Sequence, residues 1–449
     1  MDYLFILYYD DVKGYSYMKK LKYILYYFLL LSIGGNGSTL EALIQENIRK
    51  NPQIRGALAN YESAKYELEK SKANFKPTLD VYGEVGRERT EIEYSFDGNR
   101  ELNERELSLV GRYNLFDGYR SSNEMAEKES ALSVAKNQFL EKVNKTALLM
   151  VQVYLNVLRQ KSLLEVEEES YQNHLETLEK VRLRLESGDG YESNYRQTKA
   201  RLKLAQTNRL LLKKAYLNAK INYRRLMNRL PNVEEISLPT IRPLIKRGQL
   251  DKALEKANQN NRALAIEQQQ LAVTKAQYAQ EQSKNYPTFD LELSQTLSNN
   301  AHGFKGKDNS YKVAVVMNYN LYRGGADQAS QLSLLKKSEA QESIVEEVKL
   351  NIKEELDLTL MKYEMLEEQL ALSEEQLGYL EGTKELYELE YQNSKRTIID
   401  LLNIKQEYAY AKSQQINAKF DQLLTYYQYK KVMNELVDEF HLDELWGGL

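Results

Sequence analysis

The side chains of this 449-residue chain that could do chemistry are charged and hydroxylic rather than thiol-based or metal-binding. Cysteine is absent, and the three histidines, His174, His302 and His441, stand far apart in sequence. Structural zinc, thiol redox chemistry and cysteine nucleophiles are thereby excluded or made improbable. No Ser/His/Asp set, phosphate loop or histidine pair at helical spacing occurs, so neither an enzymatic reaction nor a cofactor is expected. The many Asp and Glu residues stand among Lys and Arg, the pattern of solvated helical ion pairs. The 34 tyrosines read as packing and interfacial residues. One stretch concentrates polar chemistry: "YQNSKRTIIDLLN", from Tyr391, carries Arg396, Thr397, Asp400 and Asn403. Thr397 and Asp400, three apart, fit a capping box at a helix start, which is a purely structural role.

The elements that hold this stretch are helices, some of them very long. Between Tyr119 and Ser187 there is no proline or glycine, and Leu175, Leu178, Val181 and Leu185 recur at helical spacing. Such a run would reach about 100 Å at about 1.5 Å per residue. A counterpart runs from about Gly324 to Tyr391, interrupted only by Gly378 and Gly382, with Leu377, Leu380, Tyr387 and Tyr391 on one face. Each run ends at a polar turn, "ESGDGYES" or "YQNSKRT", after which a shorter helix returns, giving antiparallel pairs of coiled-coil length. Pro231, Pro239 and Pro243 rule out a continuous helix between the halves.

The halves are copies. Asn51 corresponds to Asn261 and Pro77 to Pro287, both 210 residues apart, and Tyr113 to Tyr319 at 206. A near-constant period marks a duplicated unit. After each of Pro77 and Pro287 the apolar residues alternate at period two. Phe289, Leu291, Leu293 and Leu297 oppose Asp290, Glu292, Ser294 and Thr296, and Tyr311, Val313, Val315, Met317, Tyr319 and Leu321 oppose Lys312, Asn318 and Asn320. In the first half Leu79, Val81 and Val85 oppose Asp80 and Glu84, and Leu107, Leu109 and Leu115 oppose Ser108, Arg112 and Asn114. These patterns predict four strands of about ten residues in two hairpins, with polar loops at "SFDGNRELNE" and "NNAHGFKGKDN".

One reading is a soluble sheet with a buried face. Against it, the flanking long helices have no spare apolar face to cover such a sheet. The other is a tilted transmembrane barrel. Four strands cannot close, and open edges are not tolerated in lipid, so the barrel must be shared: eight strands from two chains or twelve from three. On this reading Leu79, Val81, Leu107, Leu109, Leu291, Leu293, Val313 and Val315 face lipid, while Asp80, Glu84, Arg112, Asp290, Glu292 and Lys312 face the lumen.

Mean hydropathy is −0.62, too polar for a bundle of membrane helices. The formal charge of −3 gives no basic footprint for nucleic acid. From Met18 the chain reads "MKKLKYILYYFLLLSIGGNGS", with the basic, apolar and small-residue regions of a secretory signal peptide and an expected cut after Gly37. The apolar core is shorter than the roughly 20 residues of a spanning helix, which weighs against an uncleaved anchor. Met18 is the expected true start.

After the leader the chain resembles the TolC family of outer-membrane channel proteins over nearly its whole length. The most specific likeness is "YQNSKRTIIDLLNIKQEYAYAKSQ" from Tyr391, close to the family's Tyr, Arg-Thr, Asp-Leu-Leu and trailing Ala pattern. The turn "RLESGDGYESNYRQTKARLKLAQTN" from Arg184 is similar to the agglutination-protein branch, which serves type I secretion of large adhesins. The resemblance implies an α+β, mainly α fold. It would be a tandem duplication of long antiparallel coiled-coil helices with four transmembrane strands, assembled as a homotrimer with a 12-stranded barrel in outer-membrane lipid above an α-helical periplasmic tunnel. The expected layout is a signal peptide over 1–37, a first repeat over 38–243, a second over 244–437 and a tail over 438–449.

The resemblance also implies a passive duct recruited by a periplasmic adaptor protein and an inner-membrane ABC exporter or proton-driven pump. Type I protein export is the first expectation, small-molecule efflux the second, and a periplasmic coiled-coil scaffold the more distant one. The family's narrow periplasmic end maps onto Tyr391, Arg396 and Asp400, with Asn403 where some members have a second Asp. The first-half partners fall at Glu192 and Ser193, where other members often have Asp, and Glu192 could supply the carboxylate for Arg396.

Overall fold

The computed structural model describes residues 39–90, 100–232, 236–303, 305–393 and 395–447. The expected leader and the 91–99 part of the first loop lie outside the described residues. Each repeat begins with a short helix and a kinked continuation: α1 (Leu40–Ile48) and α2 (Pro52–Lys72) in the first, α5 (Leu250–Asn260) and α6 (Arg262–Gln282) in the second. The equivalent residues Asn51 and Asn261 cap α2 and α6, their side chains accepting from Gln53 N and Leu264 N. An uncapped amide at a helix start is costly, so the same Asn in both copies fixes the same chain entry.

A single 3-10 turn then leads through Pro77 or Pro287 into a hairpin. β1 (Thr78–Thr90) and β2 (Arg100–Phe116) form the first, β3 (Thr288–Asn299) and β4 (Lys307–Asn318) the second. All four make one antiparallel sheet in chain order, with β2 and β3 joining the repeats. The first hairpin is longer than the expected ten-residue strands, because "RELNE" is strand rather than loop. β1 runs on to Thr90 and supplies its backbone partners, whereas polar side chains report only that both faces are wet there. β4 stops at Asn318, short of the expected Leu321, since its partner β3 begins at Thr288 behind Pro287, which has no N–H to give.

From the sheet the chain turns sharply into α3 (Arg120–Glu186) and α7 (Ala326–Gln392), each of 67 residues. The two corners are equivalent: Gly118 and Tyr119 have φ of 68° and 69°, Gly324 and Gly325 of 63° and 82°. The returning helices are α4 (Glu192–Met227) and α8 (Ile398–Val432). Near the tip farthest from the sheet the packing order is α4, α3, α8, α7; nearer the sheet it is α2, α3, α6, α7. The chain is thus a wall whose free edges are α2 and α4 on the side of β1, and α7 on the side of β4.

The main core lies at the waist, where Phe139, Met150, Tyr154, Tyr223 and Met227 meet Ile44, Ile48 and Ile54. The C-terminal residues belong to it. After α9 (Leu436–Glu439), Phe440 stacks on Tyr427 at 5.9 Å and Trp446 meets Phe139 edge-on at 5.2 Å. A second cluster carries α5 and the start of α6 on α7 through Ala257, Leu264, Leu356 and Leu360.

Candidate gate and channel-lining face

At the tip a third cluster, including Val181, Leu380, Tyr391, Ile398 and Leu401, ties the turn of the second hairpin to α3. Tyr391 is 6% exposed, and the Arg184 guanidinium lies 4.5 Å over its ring. Burial raises the Tyr391 phenol above its ordinary range. Arg396 donates from Nε to Glu390 Oε2 at 2.7 Å and lies 4.1 Å over the Tyr387 ring. Both partners come from the last turns of α7, so within one chain Arg396 closes the loop back onto the helix it has just left.

The capping box is formed. Thr397 Oγ1 donates to Asp400 Oδ2 at 2.8 Å, and Asp400 N donates to Thr397 Oγ1 at 3.2 Å. These Thr397 hydroxyl and amide donors hold the Asp400 carboxyl below its ordinary range. Asn403 Oδ1 accepts from Arg201 at 2.8 Å, bridging α8 to α4. Glu192 is held by Arg196 at 2.8 Å on its own helix, and Ser193 is exposed beside it. Tyr391, Arg396, Asp400 and Asn403 therefore share one turn and helix start, whereas Glu192 and Ser193 sit at the start of the other returning helix. No spacing in the sequence marks Glu390, Tyr387, Arg184 and Arg201 as partners of these residues: a contact across a turn or between helices follows no fixed spacing.

In the sheet, register puts the two expected sets on opposite faces. Val81 opposes Leu109, Leu107 opposes Leu297, Leu291 opposes Val315 and Leu293 opposes Val313, while Leu79 joins the same face opposite Gly111. This apolar face is uncovered: Leu79 is 70% and Val313 74% exposed. On the other face Glu292 sits between Arg112 and Lys312, at 3.6 and 3.3 Å, and Asn114 donates to Asp290 at 2.8 Å. Asp80 and Glu84 occupy the same face, Glu84 accepting from Tyr82 at 2.9 Å. A bulge between Asn114 and Phe116 shifts the alternation, so that Phe116 pairs with Phe289 on the apolar face. There Phe116, Tyr119, Tyr286 and Phe289 form an aromatic group at the end of the sheet nearest the helices.

Among the described residues no helix is long and apolar enough to cross a membrane, and no group of His, Asp and Glu could hold a metal ion. The family model for outer membrane efflux protein matches residues 43–229 and 253–434, one segment in each repeat. The chain belongs to the outer membrane efflux protein family. No curated protein sequence matches it. Among solved structures, the CmeC outer-membrane channel of Campylobacter jejuni is similar at a TM-score of 0.79 and 11% identity, over 91% of this chain and 89% of that one. The outer membrane protein VceC of Vibrio cholerae gives 0.76 and 14%, over 88% and 96%. The open-state MtrE outer membrane channel of Neisseria gonorrhoeae gives 0.76 and 16%, over 89% and 90%. As an outer membrane efflux protein the chain has a TolC-like fold and resides in the outer membrane, its helices extending into the periplasm as part of an exit duct of a tripartite system.

Proposed function

We propose that three copies of this chain close into a passive duct with a twelve-stranded barrel, gated at its periplasmic tip and recruited by an adaptor and an energised inner-membrane pump. The observation that carries this is the sheet itself: one apolar face is uncovered, and β1 and β4 each pair on one side only. Neither feature suits a soluble protein, and lipid plus a neighbouring copy answers both. The helical wall supports the same closure. On its α7 edge Leu358, Met365, Leu372, Tyr379 and Leu386 recur every seventh residue and are all exposed; on its α4 edge Leu210, Leu211, Leu217 and Ile221 are exposed too. A seven-residue apolar repeat is what a helix presents to a partner helix.

The lumen-facing set would then be Asp80, Glu84, Arg112, Asp290, Glu292 and Lys312, and the gate would rest on Tyr391, Arg396, Asp400 and Asn403 of each copy, with Glu192 and Ser193 at the neighbouring helix start. Type I protein export is the first reading of the cargo, supported by the likeness of the Arg184–Asn208 turn to the agglutination branch. Small-molecule efflux is the second, supported by the description of the matching family.

Extraction from outer membranes, a heat-modifiable oligomer on gels and conductance in planar bilayers test the duct. A protein released without detergent, or migrating as a monomer without heating, would make it a periplasmic scaffold. Loss of a large secreted protein on gene deletion, with drug susceptibility unchanged, would assign the cargo to type I export; the reverse would assign it to efflux.

A further inference from the structure

The end of the sheet away from the helices is polarised in charge across its thickness. One cross-strand row contains Glu84, Glu106, Ser298 and Asp308, in register on the polar face. The next row outward along β2 from Leu107 contains Val85, Arg105, Asn299 and Lys307, on the apolar face. One residue pair further out on that same face is Arg87, opposite Asn103. The faces thus differ sharply at the same height: Glu84, Glu88, Glu104, Glu106 and Asp308 on the polar side, Arg87, Arg89, Arg105 and Lys307 on the other. Glu101, paired with Arg87 at 2.5 Å, is the acid on the cationic side among these described strand residues. Arg87, Arg105 and Lys307 are all exposed.

Arg105 lies two residues beyond Leu107, about 7 Å along the strand from the apolar band. At that distance its aliphatic stem can lie along apolar surface while the guanidinium reaches the headgroup plane. Lys307 stands two strands away, a lateral separation of about 10 Å. The opposite rim of the band carries the Phe116, Tyr119, Tyr286 and Phe289 group, and cations beside it such as Arg120, Lys284 and Arg323 have Asp117, Glu281 and Asp327 as partners, so the two rims differ in build.

We propose that Arg105 and Lys307, with Arg87 beyond them, form an outward-facing site for phosphate-bearing lipid headgroups of the outer leaflet. The proposal rests on the reading of the apolar face as lipid-facing. The acidic row lies on the other face, and among the described strand residues the acid on this side, Glu101, is paired with Arg87, so Arg105 and Lys307 are the principal cations of the site.

The test uses the full-length protein in detergent, mixed with micelles of phosphatidylcholine containing bis-phosphorylated lipid A, followed by mass-spectrometric measurement of the lipids that stay bound. Wild type is expected to retain the phosphorylated lipid over phosphatidylcholine roughly thirtyfold, the gain for two cations at an anionic headgroup plane. Combining Arg105→Gln and Lys307→Gln should remove most of that preference, Arg105→Lys alone should keep it, and Lys337→Gln on α7 should not alter it. Undiminished preference in the double variant, on protein that still runs as a heat-modifiable oligomer, would overturn the proposal. Absence of that oligomer in wild type would instead sink the lipid-facing reading beneath it.

Discussion

Arg396 binds Glu390 of its own chain, across the turn that separates α7 from α8, at 2.7 Å. The contact pins the start of the returning helix to the end of the outgoing one, and the Tyr387 ring beneath the guanidinium adds a cation–π contact. A gate built on this turn would be held by a strap internal to each hairpin. Arg396→Ala should therefore raise single-channel conductance in planar bilayers, and Glu390→Gln should do the same. Glu192→Gln should leave conductance unchanged. If Glu192→Gln raises it and Glu390→Gln does not, the strap crosses between hairpins.

Asp400 closes the capping box, and its carboxyl is held low by Thr397. A depressed folded value means the stabilisation is whole above the ordinary carboxylate range, about 4, and is lost as pH falls through the lowered value. Asp400→Asn should lower stability by about 0.5–1 kcal/mol at neutral pH. Thermal melts of variant and wild type should converge on acidification. If three Asp400 side chains also meet around the axis, the same variant loses cation preference and sensitivity to block by multivalent cations in bilayers. Unchanged electrical behaviour would leave Asp400 as a cap alone.

Leu293 and Val313 face each other on the uncovered side of the sheet, and Glu292 lies between Arg112 and Lys312 on the other. A charge at the midplane of a barrel's lipid face costs about 2 to 4 kcal/mol. Leu293→Arg and Val315→Arg should reduce the heat-resistant oligomer recovered from outer membranes. Glu292→Arg should assemble and alter ion selectivity instead. Equal assembly of all three would refute the assignment of faces.

Gly118 and Gly324 occupy equivalent corners, but their surroundings differ. A Cβ at Gly118 would lie 2.5 Å from Ser283 O and 2.9 Å from Tyr286 Cβ, whereas at Gly324 nothing lies within 4 Å. Both have left-handed φ, which costs a non-glycine residue about 1 kcal/mol or more. Gly118→Ala adds a clash with the backbone of the other repeat, so it should lower the melting temperature clearly more than Gly324→Ala. Equal losses would show that this seam between the repeats yields easily.

Much of this architecture is local and therefore written in the order of residues. The two 67-residue helices follow from long runs without proline, broken by glycine only at Gly378 and Gly382 of the second, the repeat from the spacing of Asn51 and Asn261, and the two sheet faces from period-two alternation. Thr397 and Asp400 announced their capping box for the same reason: a helix start is decided by residues three apart. Tertiary structure decided what depends on partners distant in sequence. Backbone pairing with β1 turned "RELNE" into strand, and the pairing of β2 with β3 placed the Asn114–Phe116 bulge that moves Phe116 to the apolar face. Folding also gave Arg396 the partner Glu390, brought Trp446 onto Phe139, and aligned Arg105 with Lys307 two strands apart. Periodicity tells each residue which way it faces along its own segment; which neighbour it then meets is set by register and packing between segments, and no spacing within one segment encodes that.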